Sequence, residues 1–341
     1  MIDALKAEAE RIGFDFCGVA SAGLAPEADF FKRWIEAGCH AGMEWMAREV
    51  ERRTDPAQIL PGAKAVVIVG MNCYQVQPVR RGRVAMYALG RDYHELLLPM
   101  LEDLAGWLAR LGGVQRCYVD TGPILEKNLA RLSGVGWQGK NTLLIHPQGG
   151  CWFMLGCVLT TLELEIMAPV RDHCGSCQRC MSACPTRAIV EPYHLDARRC
   201  LAYYSIEHKG AIPVEFREAM GDRVYGCDEC LAACPWNRFA QQTRHAGLAA
   251  LELPDLREML YWGKEDFNRL FRHSPVKRLK LSRWKRNIAV ALGNIGTGED
   301  VLALEHAAAE GDELVTEHAE WALLQIRKRL GNMLSSRPAS G

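Results

Sequence analysis

The sequence predicts an α+β chain in three parts, and three observations carry that reading. Up to residue 165, short β-branched strands and long amphipathic helical periods occur together without a regular strand–helix–strand repeat. From 166 to 245, eight cysteines crowd among short helical turns. From 246 to 334 the pattern is helical, and the polar residues 335–341 read as a disordered tail. With 341 residues, 49% of them hydrophobic, the chain can bury more than one core.

The elements follow in order. Met1 to Ala20 reads as an amphipathic helix, because Asp3, Lys6, Glu8, Glu10 and Arg11 interrupt the apolar positions and deny it the continuous apolar centre of a signal peptide. Ala65-Val66-Val67-Ile68-Val69-Gly70 is a short buried strand. Tyr93 to Leu111 has the helical period, Gly112-Gly113 stops it, and Gln115 to Asp120 reads as the next strand. Cys151 to Thr161 is long for one strand and reads as two hairpin arms meeting near Gly156. In the last part, Arg286–Gly293 and His318–Leu323 suggest paired antiparallel helices joined through a Gly-containing turn, as in one or two HEAT-type units.

No stretch reaches the roughly 18 uncharged apolar residues of a membrane span, so the expectation is a soluble, cytoplasmic protein without membrane contact. The 41 basic and 41 acidic residues cancel, so any attraction to a polyanion must be local. One segment qualifies. Lys264, Arg269, Arg272, Lys277, Arg278, Lys280, Arg283, Lys285 and Arg286 face only Glu265 and Asp266, with Phe267, Phe271 and Trp284 interleaved. This is a candidate phosphate-binding patch, or else a solvated helix face.

Fourteen cysteines in a long chain expected in a reducing compartment point to metal ligation rather than disulfides. Cys174-x2-Cys177-x2-Cys180-x3-Cys184-Pro185 is the spacing by which two-cluster ferredoxins present three thiolates to one [4Fe-4S] cube and the fourth to another. A second run, Cys227-x2-Cys230-x3-Cys234-Pro235, lacks one cysteine, and isolated Cys200 can supply it. The expected sets are Cys174, Cys177, Cys180 and Cys234 for one cluster, and Cys184, Cys200, Cys227 and Cys230 for the other. A pair of zinc sites is the competing reading. Cys17, Cys39, Cys73, Cys117, Cys151 and Cys157 lie in or beside apolar segments and read as small buried hydrophobes.

Clusters alone would make an electron carrier, so the preceding 165 residues should hold an acceptor site. Its best candidate is Cys117-Tyr118-Val119-Asp120-Thr121-Gly122-Pro123, where Asp120 at a strand end could donate a proton or could cap a helix beginning near Pro123. Gly134-Val135-Gly136-Trp137-Gln138-Gly139-Lys140-Asn141-Thr142 suits close approach to a large ligand but fits neither a Walker A loop nor a Rossmann fingerprint. Asp92-Tyr93-His94-Glu95-Leu96-Leu97 approaches the Asp-x-His-x-x-Gly motif that places a histidine beneath the cobalt of cobalamin. Leu97 stands where the glycine should be, so the segment reads as a helix start at Asp92.

Taken together, Tyr118-Val119-Asp120, Gly136-Trp137-x-Gly139-Lys140-Asn141-Thr142-Leu143-Leu144-Ile145, the two cysteine runs and Cys234-Pro235-Trp236-Asn237 resemble the epoxyqueuosine reductase family of tRNA-modifying enzymes over essentially the whole chain. The resemblance implies a cobalamin-binding catalytic domain at 1–165, a ferredoxin-like domain with two [4Fe-4S] clusters at 166–245 and a HEAT-like tRNA-binding domain at 246–334. It further implies reductive removal of the epoxide oxygen of epoxyqueuosine at the tRNA wobble position, the last step of queuosine biosynthesis, with two electrons and two protons consumed. By the same resemblance cobalamin is bound base-off with no protein histidine on the cobalt, Asp120 is the proton donor, and Arg83, Lys140, Asn141 and Ser205 contact the cobalamin. An external donor of flavodoxin or ferredoxin type feeds a monomer. The alternatives are another cobalamin and iron–sulfur reductase, such as a reductive dehalogenase, which would carry a twin-arginine export signal, and a non-enzymatic electron-transfer subunit.

Overall fold

The strand run Ala65–Asn72 is buried at all eight positions and forms the middle of a four-stranded sheet. Its neighbours are Phe16–Ser21 on one side and Phe153–Thr160 on the other, with Gln115–Tyr118 outside the latter, and every pairing is antiparallel. A continuous Val-Val-Ile-Val run suits this place because both faces of the sheet are covered. Each such side chain contributes about 1.5–3 kcal/mol by leaving water. Ile124, Leu129, Ala130 and Val135 join Val66 and Ile68 in one core cluster. The Tyr93–Leu111 helix buries Leu97, Leu101, Leu104 and Leu108. These details come from a computed structural model that describes residues 1–335.

Two sequence expectations change here. The N-terminal helix covers only Ile2–Ile12 and ends at Gly13, whose φ of 118° is open to glycine. The chain then enters the sheet as Phe16–Ser21, so the second half of Met1–Ala20 is strand. The expected hairpin at Gly156 is instead one unbroken strand, in which Gly156 pairs with Val69. A Cβ at this position would lie 2.8 Å from the Leu101 side chain, so the glycine marks a close helix-to-sheet approach and not a turn.

The chain forms two compact units that cut across the expected serial division. The first combines Met1–Val76, Arg91–Arg198 and Asp228–Ala249. It holds the sheet, the two-residue strands Trp137–Gln138 and Leu144–Ile145, and the short helices Arg179–Ala183 and Glu229–Ala232 of the cysteine runs. The second combines Gln77–Gly90, Arg199–Cys227 and the chain from Ala250. Residues 77–90 belong to it because Arg83–Val84 pairs in parallel with Arg223–Tyr225, and because Leu251 N–H donates to the Leu89 carbonyl at 2.8 Å.

Within the second unit the described α-helices are Val214–Arg217, Leu256–Leu260, Lys264–Phe271, Lys280–Ile295, Val301–Glu310 and Glu313–Ser335. The two expected helices do pack together, as Lys280–Ile295 on Glu313–Ser335, but not as an antiparallel pair: the Val301–Glu310 helix lies between them in the chain, and Gly293 meets Trp321 and Ala322 while Gly296 meets Ile326, so they run in the same sense. Of the expected disordered tail at 335–341, Ser335 ends the last helix and the rest lies outside the described residues.

The basic segment divides by burial. Lys264, Arg269, Arg272, Lys277, Arg278 and Lys280 are exposed, whereas Arg286 is fully buried. Arg286 donates to the carbonyls of His208, Gly210 and Tyr204 at 2.7–2.8 Å. Arg283 donates to those of Leu279, Ile206 and Arg278. Phe267, Phe271 and Trp284 are core. These two arginines and three rings therefore leave the candidate patch: each carbonyl stranded by loss of Arg286 would cost about 1–3 kcal/mol, which makes it a structural staple. Among the described residues no helix is long and apolar enough to cross a membrane.

Candidate active site and cysteine loops

The strand Gln115–Tyr118 ends two residues before Asp120, which takes a left-handed φ of 48°. That turn brings the carboxylate beside the start of the Tyr93–Leu111 helix. Asp120 Oδ2 accepts a hydrogen bond from the Tyr93 hydroxyl, and Oδ1 lies 3.1 Å from His94 Nε2. On its other side His94 Nδ1 is 2.7 Å from Asp92 Oδ1, and the same Asp92 oxygen caps the helix by accepting the His94 N–H. An imidazole held between two carboxylates favours its charged form. Hydrogen bonds from Asp120 first and Asp92 second raise the His94 pKa to about 9.

The Asp120 N–H donates to Glu126 Oε1 at 2.7 Å, and burial pushes the Glu126 carboxyl up to about 8. The following helix starts at Glu126 with Leu125 in the cap position, so Asp120 does not serve as its N-cap. Asp120 instead presents a side chain that is 46% exposed, backed by groups able to hold protons near neutrality. Sequence reasoning missed Tyr93, His94 and Glu126 as parts of this group. The sequence around His94 shows only an incomplete cobalt motif, and nothing local in it points to Asp120.

Four of the expected cluster cysteines meet in the first unit. Burial raises the Cys180 pKa, and the neighbouring sulfurs of Cys174, Cys177 and Cys234 raise it further by like-charge repulsion. Cys184 Sγ accepts the Ala188 N–H at 3.1 Å, and Cys230 sits in the Glu229–Ala232 helix. In the second unit, Cys200 precedes the helical turn Tyr203–Glu207, and Cys227 follows the strand Arg223–Tyr225. Of the six other cysteines, five are buried and Cys117 is half-buried.

The residues expected beside cobalamin have well-defined protein partners. Lys140, 9% exposed, donates from Nζ to the carbonyls of Gly175 at 2.5 Å and Cys177 at 3.0 Å. Asn141 Nδ2 donates to the Cys230 carbonyl at 3.1 Å. The Gly-Lys-Asn stretch thus grips both cysteine runs. Fully buried Ser205 donates from Oγ to Leu201 O and accepts the Gly226 N–H, each at 2.9 Å, tying the residue after Cys200 to the residue before Cys227. Arg83 Nε donates to Asp222 Oδ1 at 2.6 Å.

Residues 173–237, which contain all eight cysteines of the two runs and Cys200, match the family model described as a 4Fe-4S double cluster binding domain. The chain is therefore an iron–sulfur protein of the two-cluster class. Residues 53–121, ending just past Asp120, match the model described as epoxyqueuosine reductase QueG, DUF1730. Epoxyqueuosine reductase of Xanthomonas campestris is 42% identical over 336 residues, covering 94% of this chain and 95% of the relative. The Escherichia coli K12 enzyme is 40% identical, with 94% and 88% covered. A crystal structure of epoxyqueuosine reductase with an epoxyqueuosine-modified tRNA-Tyr stem loop superposes with a TM-score of 0.90 at 26% identity, covering 99% of this chain and 95% of that one. A structure of the Bacillus subtilis enzyme, described with its catalytic aspartate loop swung out of the active site, gives 0.86 at 26% identity, with 99% and 95% covered. The chain belongs to the epoxyqueuosine reductase family, and its activity is that of an oxidoreductase.

Proposed function

We propose that this reductase removes the epoxide oxygen of epoxyqueuosine at the wobble position of tRNA, yielding queuosine and water, with Asp120 giving the proton to the departing oxygen. The observation that carries the reading is the Tyr93, His94 and Asp92 surround of Asp120. An exposed carboxyl at a strand end, resupplied from a charged imidazole 3.1 Å away, can deliver a proton and be recharged within one turnover. The B. subtilis relative described with its catalytic aspartate loop swung out of the active site supports it.

Two electrons and two protons balance the removal of one oxygen as water. Cys174, Cys177, Cys180 and Cys234 would hold one [4Fe-4S] cluster, and Cys184, Cys200, Cys227 and Cys230 the other. When bound, these clusters supply one-electron chemistry, fed by an external donor of flavodoxin or ferredoxin type. Support for the first set is that Cys180 has the sulfurs of Cys174, Cys177 and Cys234 around it, and that Lys140 holds the same loop through the Gly175 and Cys177 carbonyls.

Cobalamin remains part of the reading through the family resemblance, with base-off binding. Both ring nitrogens of His94 are engaged by carboxylates, which supports a cobalt without a protein histidine beneath it. Lys140, Asn141 and Ser205 are engaged with protein carbonyls and Arg83 Nε with Asp222, so protein contacts already account for the placement of these side chains.

The C-terminal helices form a HEAT-like tRNA-binding element in this reading, and the protein works as a cytoplasmic monomer. The deciding experiment is an anaerobic assay of Asp120→Asn with epoxyqueuosine-containing tRNA and nucleoside mass analysis. Turnover should fall about a hundredfold to ten-thousandfold with cluster content intact. Wild-type turnover would remove Asp120 from the chemistry.

A further inference from the structure

The Gly-rich stretch that reaches the cysteine loops also delivers a tryptophan to them. Trp137, 1% exposed, lies in the two-residue strand paired with Leu144–Ile145. Gly136 before it has no room for a side chain, because a Cβ there would lie 2.3 Å from the Ile145 carbonyl oxygen. The backbone therefore fixes where the indole goes.

The indole enters an apolar cluster made with Ile145, Cys151 and Cys234, against which Cys174, Leu231 and Trp236 pack. Trp236 closes on it edge-on, with ring centroids 4.8 Å apart. Indole Nε1 is a donor only, and here it is buried with no hydrogen-bond partner among the described residues. A buried donor left unpaired is destabilising, because it has given up its hydrogen bonds to water. Among the side chains packed on this cluster is Cys174, whose thiol the indole favours in its charged form against the opposing effect of burial. Cys174 is one of the expected cluster ligands, and a ligating cysteine is a thiolate, which is the acceptor this N–H lacks.

We infer that Trp137 is a potential-setting residue: its indole N–H donates to the Cys174 thiolate and makes the cluster held by Cys174, Cys177, Cys180 and Cys234 easier to reduce. Reduction adds one electron and no proton to that cluster, so negative charge grows on iron and sulfur inside a dry apolar shell. A fixed N–H dipole aimed at a ligand sulfur stabilises the reduced form more than the oxidised one, and hydrogen bonds to sulfur are an established lever on cluster potential. Lys140, clamped to the Gly175 and Cys177 carbonyls, adds positive charge to the same loop.

The inference rests on the ligand set proposed above, and the test separates the two. Trp137→Phe keeps the ring and removes the donor. In an anaerobic redox titration with dithionite, followed by electron paramagnetic resonance, the variant should retain both clusters. One of them should show an oxidised-to-reduced ratio about tenfold higher at fixed potential, a shift of about 59 mV for one electron. Unchanged titration of both clusters overturns the inference. Wild-type protein with nitrogen-15 in its indoles provides a second readout that needs no variant: pulsed resonance on the reduced cluster should show coupling to one indole nitrogen, and its absence overturns the inference equally. Cys174→Ser reports on the ligand set itself, since wild-type iron content in that variant sinks the ligand assignment rather than the role of Trp137.

Discussion

His94 joins two aspartates that lie 28 residues apart in the chain: its Nδ1 is 2.7 Å from Asp92 and its Nε2 is 3.1 Å from Asp120. One of these carboxylates starts a helix and the other leaves a strand, so the imidazole locks the two elements together at the open edge of the candidate active site.

That lock should be pH-dependent. Folding raises the His94 pKa from 6.5 to about 9, so the stabilisation is complete below pH 6.5 and is lost as pH rises through about 9. The side chain is 32% exposed, and solvent screening reduces the benefit to about 1–2 kcal/mol. Thermal unfolding of the wild type should shift downward across that window, while His94→Gln should lose the slope. An identical slope in the variant would place the titrating group elsewhere.

Lys140 offers a direct choice between two roles. If its ammonium serves the Gly175 and Cys177 carbonyls, Lys140→Met should lower iron per chain and speed cluster loss to a chelator, with corrinoid binding unchanged. A variant with full iron and weakened corrinoid binding would assign the lysine to the cofactor instead.

Anaerobically reconstituted protein should carry about eight irons and eight sulfides per chain, as two cubanes require. Cys200→Ser should damage one cluster and spare most of the other. Full cluster content by iron assay and absorbance would show that Cys200 is not a ligand.

The exposed part of the basic segment should grip tRNA through phosphates. Neutralising Lys277, Arg278 and Lys280 together should weaken full-length tRNA binding and flatten its salt dependence, because each lost phosphate contact removes a released counterion. A short anticodon stem-loop should be affected less. Equal affinity and salt slope in wild type and triple variant would move the RNA surface away from these helices.

The sequence by itself determined the features whose cause is local. The Cys-x2-Cys-x2-Cys spacing is legible because three thiolates of one short loop must reach one cube, and the match of 173–237 to a double-cluster model agrees with it. The helix Tyr93–Leu111 was readable to the residue, since its apolar period, its Asp92 cap and the glycines that stop it all lie within the segment. The strand was readable over Ala65–Gly70, because burial on both faces leaves an apolar run there, although it continues to Asn72.

Only the tertiary structure decided features that depend on a distant neighbour. Gly156 looks like a turn until Leu101 is placed over it, and Arg286 looks like surface charge until the carbonyls of His208, Gly210 and Tyr204 are brought to it. Lys140 acquires its meaning from carbonyls 35 and 37 residues further on, and His94 from an aspartate 26 residues away. A hydrogen bond across such separations leaves no trace in spacing or periodicity, because its geometry exists only once the intervening chain has folded.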